Sequence, residues 1–177
     1  HPHRDMEIFS YVVDGTIRHQ DSMGNARDLR PGDIQLMSAG SGVTHSEVNP
    51  SQDEPLHLLQ IWIEPDQQGL PPSYTEWHPS PEAEALSKVL VISPDGRENS
   101  ARIHQDALVY RLRLQPGETV GHELAETRGL WLQVIEGDLR LNQTHLHPGD
   151  GASAEQAYPY QITAGDRPGE ALLFDLA

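Results

Sequence analysis

Four residues whose types and spacing could bind a metal stand in two short pairs. They are His1 and His3 in His1-Pro2-His3, and His45 and Glu47 in His45-Ser46-Glu47. An i, i+2 spacing puts both side chains of a pair on one face of a β-strand. Three imidazoles and one carboxylate suit a divalent first-row metal such as Fe, Ni, Cu, Mn or Zn. Both pairs lie in strand-like, turn-punctuated sequence, so they can converge on one point inside a barrel. The chemistry this predicts is metal-dependent.

The elements that must position these ligands can be read from the flanking sequence. The run Glu7 to Val13 is rich in β-branched and aromatic residues and ends at the turn signal Asp14-Gly15, which leads into Thr16-Ile17-Arg18-His19. A second turn, Asp21-Ser22-Met23-Gly24-Asn25, predicts a hairpin, and the two turns together predict an antiparallel meander. Leu29-Arg30-Pro31-Gly32-Asp33 opens the strand Ile34-Gln35-Leu36-Met37, which closes in Ser38-Ala39-Gly40-Ser41-Gly42 before His45. With no lysine or helix after them, Gly40 and Gly42 read as a tight turn bringing His45 to the metal, not as a phosphate loop. Residues 57–63 form another strand, and the proline-rich stretch from Glu64 to Pro81 reads as a linker or crossover. Along the strands, the alternating Gln35, Met37, Gln60 and Trp62 are candidates to line the cavity, with core packing the competing reading for each.

The second half repeats the first. Tyr11 to Arg18 is echoed by Gln133 to Arg140, and Leu29-Arg30-Pro31-Gly32-Asp33 by Leu146-His147-Pro148-Gly149-Asp150. Two copies of one strand–turn–strand unit predict an all-β duplicated barrel. Aligning the glycines places Glu123 and Ala125 where His1 and His3 stand, and aligning the Pro-Gly-Asp segments places Ile162 and Ala164 where His45 and Glu47 stand. The second barrel is therefore expected to lack the ligand set. His145-Leu146-His147 has ligand spacing but falls on the approach to a turn, so it reads as a surface pair. His122 falls one residue out of register with His1, and His19, His57, His78 and His104 read as lone surface or hydrogen-bonded residues.

The two motifs resemble those of the cupin superfamily. More narrowly, His1-Pro2-His3-Arg4-Asp5-Met6-Glu7, together with Met37 to Glu47 and Leu58, Gln60, Ile61 and Trp62, is similar to the pirin family. The resemblance implies a bicupin, two antiparallel β-barrels of the double-stranded β-helix or jelly-roll type. It implies a metal barrel over 1–66 whose first strands precede this sequence, leaving it incomplete here. A linker over 67–85 and a second barrel over 86–177 follow. The resemblance assigns His1, His3, His45 and Glu47 as ligands, with Glu47 also a general base, and leaves Glu7 a supporting role. It favours Fe(II) among the admissible metals. Bacterial members resemble quercetin 2,3-dioxygenases, which implies a flavonol or similar enolisable aromatic compound and O₂ as reactants. Nuclear members instead resemble iron-dependent redox sensors that bind a protein partner.

Composition bounds the alternatives. Net charge is −15, with 12 basic against 27 acidic residues, which argues against direct nucleic-acid binding because phosphate contacts need clustered cations. No run of about 18 apolar residues could span a membrane as a helix. Cysteine is absent, so any metal must use His and carboxylate, a composition that fits a reducing cytoplasm.

Overall fold

The computed structural model describes residues 1–177 and resolves into two compact units, His1–Pro79 with Pro94–Gln105, and Ser80–Ser93 with Asp106–Ala177. Residues 94–105, which the sequence assigns to the second half, thus belong to the first unit.

The first unit contains β1 (Pro2–His3), β2 (Glu7–Asp14), β3 (Ile17–Asp21), β4 (Ala26–Leu29), β5 (Ile34–Ser38), β6 (Val43–Val48), β7 (His57–Ile63) and β8 (Ser73–Trp77). They form two antiparallel sheets, ordered β1-β6-β3-β4 and β7-β2-β5-β8. Ile8, Met37, Ala39 and Val43 pack between these sheets near one end, and Val12, Ile17 and Leu29 near the other. In the second unit, α1 (Pro81–Glu84), capped by Ser80, precedes β9 (Lys88–Ser93), and β10 (Ala101–Arg102) returns to the first unit. The second unit continues with β11 (Ala107–Leu114), β12 (Thr119–Leu124), β13 (Gly129–Glu136), β14 (Leu139–Leu141), β15 (Thr144–Leu146), β16 (Gly151–Ala154), β17 (Tyr158–Ala164) and β18 (Gly169–Leu176). Its sheets run β9-β11-β18-β13-β16 and β12-β17-β14-β15 around one apolar core. The chain is all-β as expected, but each unit is a pair of packed sheets and not one closed barrel.

Two local expectations are corrected. Asp14-Gly15 does not join a hairpin, because β2 and β3 lie in different sheets. The turn switches sheets, and it needs glycine: φ is +79°, and a Cβ there would overlap the Pro55 carbonyl oxygen. In addition, residues 67–85 do more than connect, since β8 pairs with β5 from Ile34↔Trp77 to Ser38↔Ser73.

The duplication is visible in atomic detail. Gly137 has φ of +70° and faces the Pro168 carbonyl as Gly15 faces that of Pro55. Gly32 N–H donates to Val12 O (2.9 Å), and Gly149 N–H donates to Val134 O (3.1 Å). Asp33 and Asp150 each accept from the backbone N–H three residues earlier, at 2.8 Å.

Strand register corrects the sequence alignment of the ligand positions. With Gly15 matched to Gly137, His19 matches Leu141; their cross-strand partners are Glu47 and Ile162. His45 therefore matches Tyr160, two residues from the expected position, because the connection before β17 is shorter than that before β6. His45 N–H bonds to His1 O, whereas Tyr160 lies opposite His122. The counterparts of His1, His3, His45 and Glu47 are thus His122, Leu124, Tyr160 and Ile162, and His122 is in register with His1 after all.

Candidate metal centre

Extended alternation turns His1, just before β1, His3 on β1 and His45 on β6 toward one point. His45 Nε2 lies 3.0 Å from His3 Nε2 and 3.1 Å from His1 Nε2. The three rings meet edge to face, with centroids 4.6–4.9 Å apart. Three converging imidazole nitrogens share too few protons to satisfy one another, whereas a cation between them accepts all three lone pairs. The separations also fit one. Metal–nitrogen bonds of about 2.0–2.1 Å at right angles would put the nitrogens about 2.8–3.0 Å apart, against about 3.3–3.4 Å at the tetrahedral angle. His45 is 3% exposed, and burial pushes both it and His3 below the usual imidazole pKa, toward the neutral form that binds metal.

Glu47 lies apart from His1 and His3 and forms a second potential ligand group with His45 and His19. Its carboxylate is held by amides. Gln60 Nε2 donates to Oε2 (2.5 Å), Gln35 Nε2 donates to Oε1, and Ser10 Oγ approaches Oε1 at 3.4 Å. Burial would raise its pKa, but the neighbouring His19 and His45 hold it below the usual carboxylate value. Glu47 is therefore ionised at neutral pH.

His19 is the residue that sequence reading passes over. It is fully buried (0% exposed), its Nε2 lies 3.1 Å from Asp21 Oδ2, and its Nδ1 lies 3.9 Å from Glu47 Oε1 without a hydrogen-bond partner. Asp21 is fixed in turn by the backbone N–H groups of Met23 and Asn25 and by Asn25 Nδ2. Burial opposes protonation of His19, and Glu47 and Asp21 outweigh it, so its pKa is raised. Tyr74 stacks on its ring at 4.8 Å. The i, i+2 spacing of His19 and Asp21, the same as that of His1 and His3, was the available signal.

The four proposed lining residues have different surroundings. Gln35 is buried against Glu47, and Tyr74 Oη donates to its Oε1 (3.3 Å). Met37 is 1% exposed and belongs to the apolar cluster with Ile8 and Val43. Gln60 bridges Glu47 and Trp62, whose indole N–H donates to Gln60 Oε1 (3.1 Å). Trp62 is 53% exposed and meets His3 edge-on at 5.0 Å. A cavity of about 390 Å³ borders His3, lined by Pro2, Arg4, Ser22, Gly42, Val43 and Thr44, and it includes none of these four.

Among the remaining histidines, His145 and His147 are exposed on β15 and the segment after it, as expected, and His147 pairs with Asp138. Glu7 is buried on the opposite face of β2 from Ser10 and accepts from the His104 N–H (3.2 Å), so it serves the fold away from the ligands.

Comparison with known proteins identifies the family. Residues 1–63 match the Pirin family model, and residues 90–176 match the quercetinase C-terminal cupin domain. The chain is 44% identical to quercetin 2,3-dioxygenase of Escherichia coli strain K12, over 99% of this chain and 74% of that protein. It is 42% identical to a protein of Pasteurella multocida described as a putative quercetin 2,3-dioxygenase, over 99% of this chain and 75% of that one. The crystal structure of bacterial pirin YhhW from Escherichia coli in complex with nickel(II) superposes with a TM-score of 0.92 at 43% identity, covering 99% of this chain and 74% of that one. The chain belongs to the pirin family.

Proposed function

We propose that this chain is a metal-dependent dioxygenase of the quercetinase type, a bicupin whose first unit carries the reaction. The observation that carries the reading is the convergence of the three imidazole Nε2 atoms beside an amide-held, ionised carboxylate. His1, His3 and His45 would hold one divalent metal, with Glu47 as the fourth ligand. The nickel(II) bound by bacterial pirin YhhW supports nickel as readily as Fe(II), which only family resemblance favours. When bound, the metal lowers the pKa of a coordinating hydroxyl and stabilises charge passed toward O₂.

The protein groups do the rest. Glu47, ionised and within reach of His45, accepts the hydroxyl proton of an enolisable aromatic substrate at Oε1 or Oε2. Gln35 and Gln60 orient that carboxylate. Trp62, exposed at the rim beside His3, offers a flat aromatic face against which a flavonol can stack. Ile8, Met37 and Val43 form a dry floor that keeps water from the reacting groups.

The test is O₂ consumption and carbon monoxide release with quercetin by metal-loaded protein, beside Glu47→Gln. Turnover that falls about 10²–10⁴-fold in the variant supports the reading, the usual range for loss of a general base. Metal binding without turnover would remove the enzymatic assignment and leave a metal-binding role.

A further inference from the structure

In the second unit, the positions that correspond to the metal centre hold a different polar cluster. His122, the counterpart of His1, is 6% exposed, and its Nε2 lies 2.8 Å from Asp175 Oδ2. Asp175 lies opposite Leu130 on β13, as Trp62 lies opposite Ile8, so it occupies the place of Trp62. The third member comes from β9. Lys88 Nζ lies 3.0 Å from His122 Nδ1, donates to Gly121 O (2.8 Å) and sits 4.7 Å from the centroid of the Tyr110 ring. Lys88 is only partly buried and is the sole lysine of the sequence.

We propose that Lys88, His122 and Asp175 form a nucleophilic amine site that captures small aldehydes or ketones as imines. The geometry is that of a nucleophile, its base and the base's orienter. With Nε2–H donated to Asp175, His122 presents a bare Nδ1 to the ammonium. Transfer of one proton from Lys88 Nζ to Nδ1 leaves a neutral amine, and the resulting imidazolium is stabilised by Asp175. The amine lone pair then forms the N–C bond as the carbonyl π electrons move to oxygen. The carbinolamine oxygen takes one proton from the attacking nitrogen and one back from His122 Nδ1, and it leaves as water as the nitrogen lone pair forms the C=N bond, giving the protonated imine and neutral His122 with no change of oxidation state. Asp175 touches no reactant and is a positioning residue.

The charged surroundings are consistent. Burial pushes the Lys88 ammonium below its usual pKa against the pull of Asp175, and burial and Lys88 lower that of His122. Arg128 faces Asp175 from the far side and pairs with Asp106 (2.9 Å), which holds the Asp175 carboxyl group directed at His122. Tyr110 holds the Lys88 chain in place from its ring face.

The experiment treats the whole chain with acetaldehyde at pH 8, traps the imine with cyanoborohydride and maps labelled Lys88 by mass spectrometry. Lys88 is expected to label several-fold faster than Nα-acetyl-lysine amide, since a lowered pKa leaves more of the amine free at pH 8. The rate should level off below pH 10.5, the ordinary lysine value. His122→Gln, which removes the base, and Asp175→Asn, which removes its orienter, should each lower the rate in a chain whose circular dichroism is unchanged. A wild-type rate no greater than the reference overturns the proposal. So does an unchanged rate in whichever folded variant is obtained.

Discussion

In the first unit His1 precedes β1, and the facing positions of β1, β3 and β6 carry His3, His19, His45 and Glu47. At the corresponding positions of β12, β14 and β17 the second unit carries His122, Leu124, Leu141, Tyr160 and Ile162. The strand order of the ligand-bearing sheet and the sheet-switching glycine turns are shared, so the backbone there does not decide which unit can bind a cation. The side chains decide. Leu124, Leu141, Tyr160 and Ile162 join the apolar core of the second unit, while among their counterparts the Nε2 atoms of His3 and His45 converge with that of His1 and the buried Nδ1 atoms of His19 and His45 have no hydrogen-bond partner. Burying polar groups without full partners costs free energy, and a metal bound by the converging Nε2 atoms would offset part of that cost. One copy is built for stability and the other for a ligand.

That contrast can be broken by substitution. The largest effect is expected from His45→Ala, which removes the nitrogen common to both short approaches. Nickel affinity measured by calorimetry should fall by on the order of 100-fold or more, while His122→Gln and His145→Ala leave it unchanged. Gly15→Ala and Gly137→Ala should each destabilise the unit that holds them by about 1–2 kcal/mol from the left-handed backbone alone, with carbonyl overlap adding to it. Urea unfolding would read this, and a neutral effect at either glycine would break the equivalence of the two turns. Gln60→Ala frees one Glu47 oxygen and unties Trp62, so turnover should drop about tenfold with little change in stability, since Gln60 is exposed.

The smallest effect sharpens the second unit. His122 has a lowered folded-state pKa, so the unfolded chain takes up its proton first as pH falls below 6.5. Stability from this residue is complete above that value and declines on acidification until the folded pKa is reached. His122→Gln should flatten that segment of the stability–pH curve.

Much of this was legible in the residues. The i, i+2 pairs and the repeated Pro-Gly-Asp turns carry local signals, because strand alternation and positive φ leave marks on sequence. The register of β17 was not legible: its offset depends on the length of a connecting loop, and a two-residue shift keeps the same face toward the core. Hence Ala164 was aligned where Ile162 stands. His19 was missed because a buried histidine and a surface one look alike until cross-strand pairing puts it opposite Glu47. Strand β8 was hidden by flanking prolines, which edge strands tolerate.

The central claim is that the first unit alone holds a metal, at the three-imidazole site. Calorimetric titration of nickel(II) into metal-free protein tests it most directly. One site per chain is expected; no binding, or two equivalent sites, would overturn it.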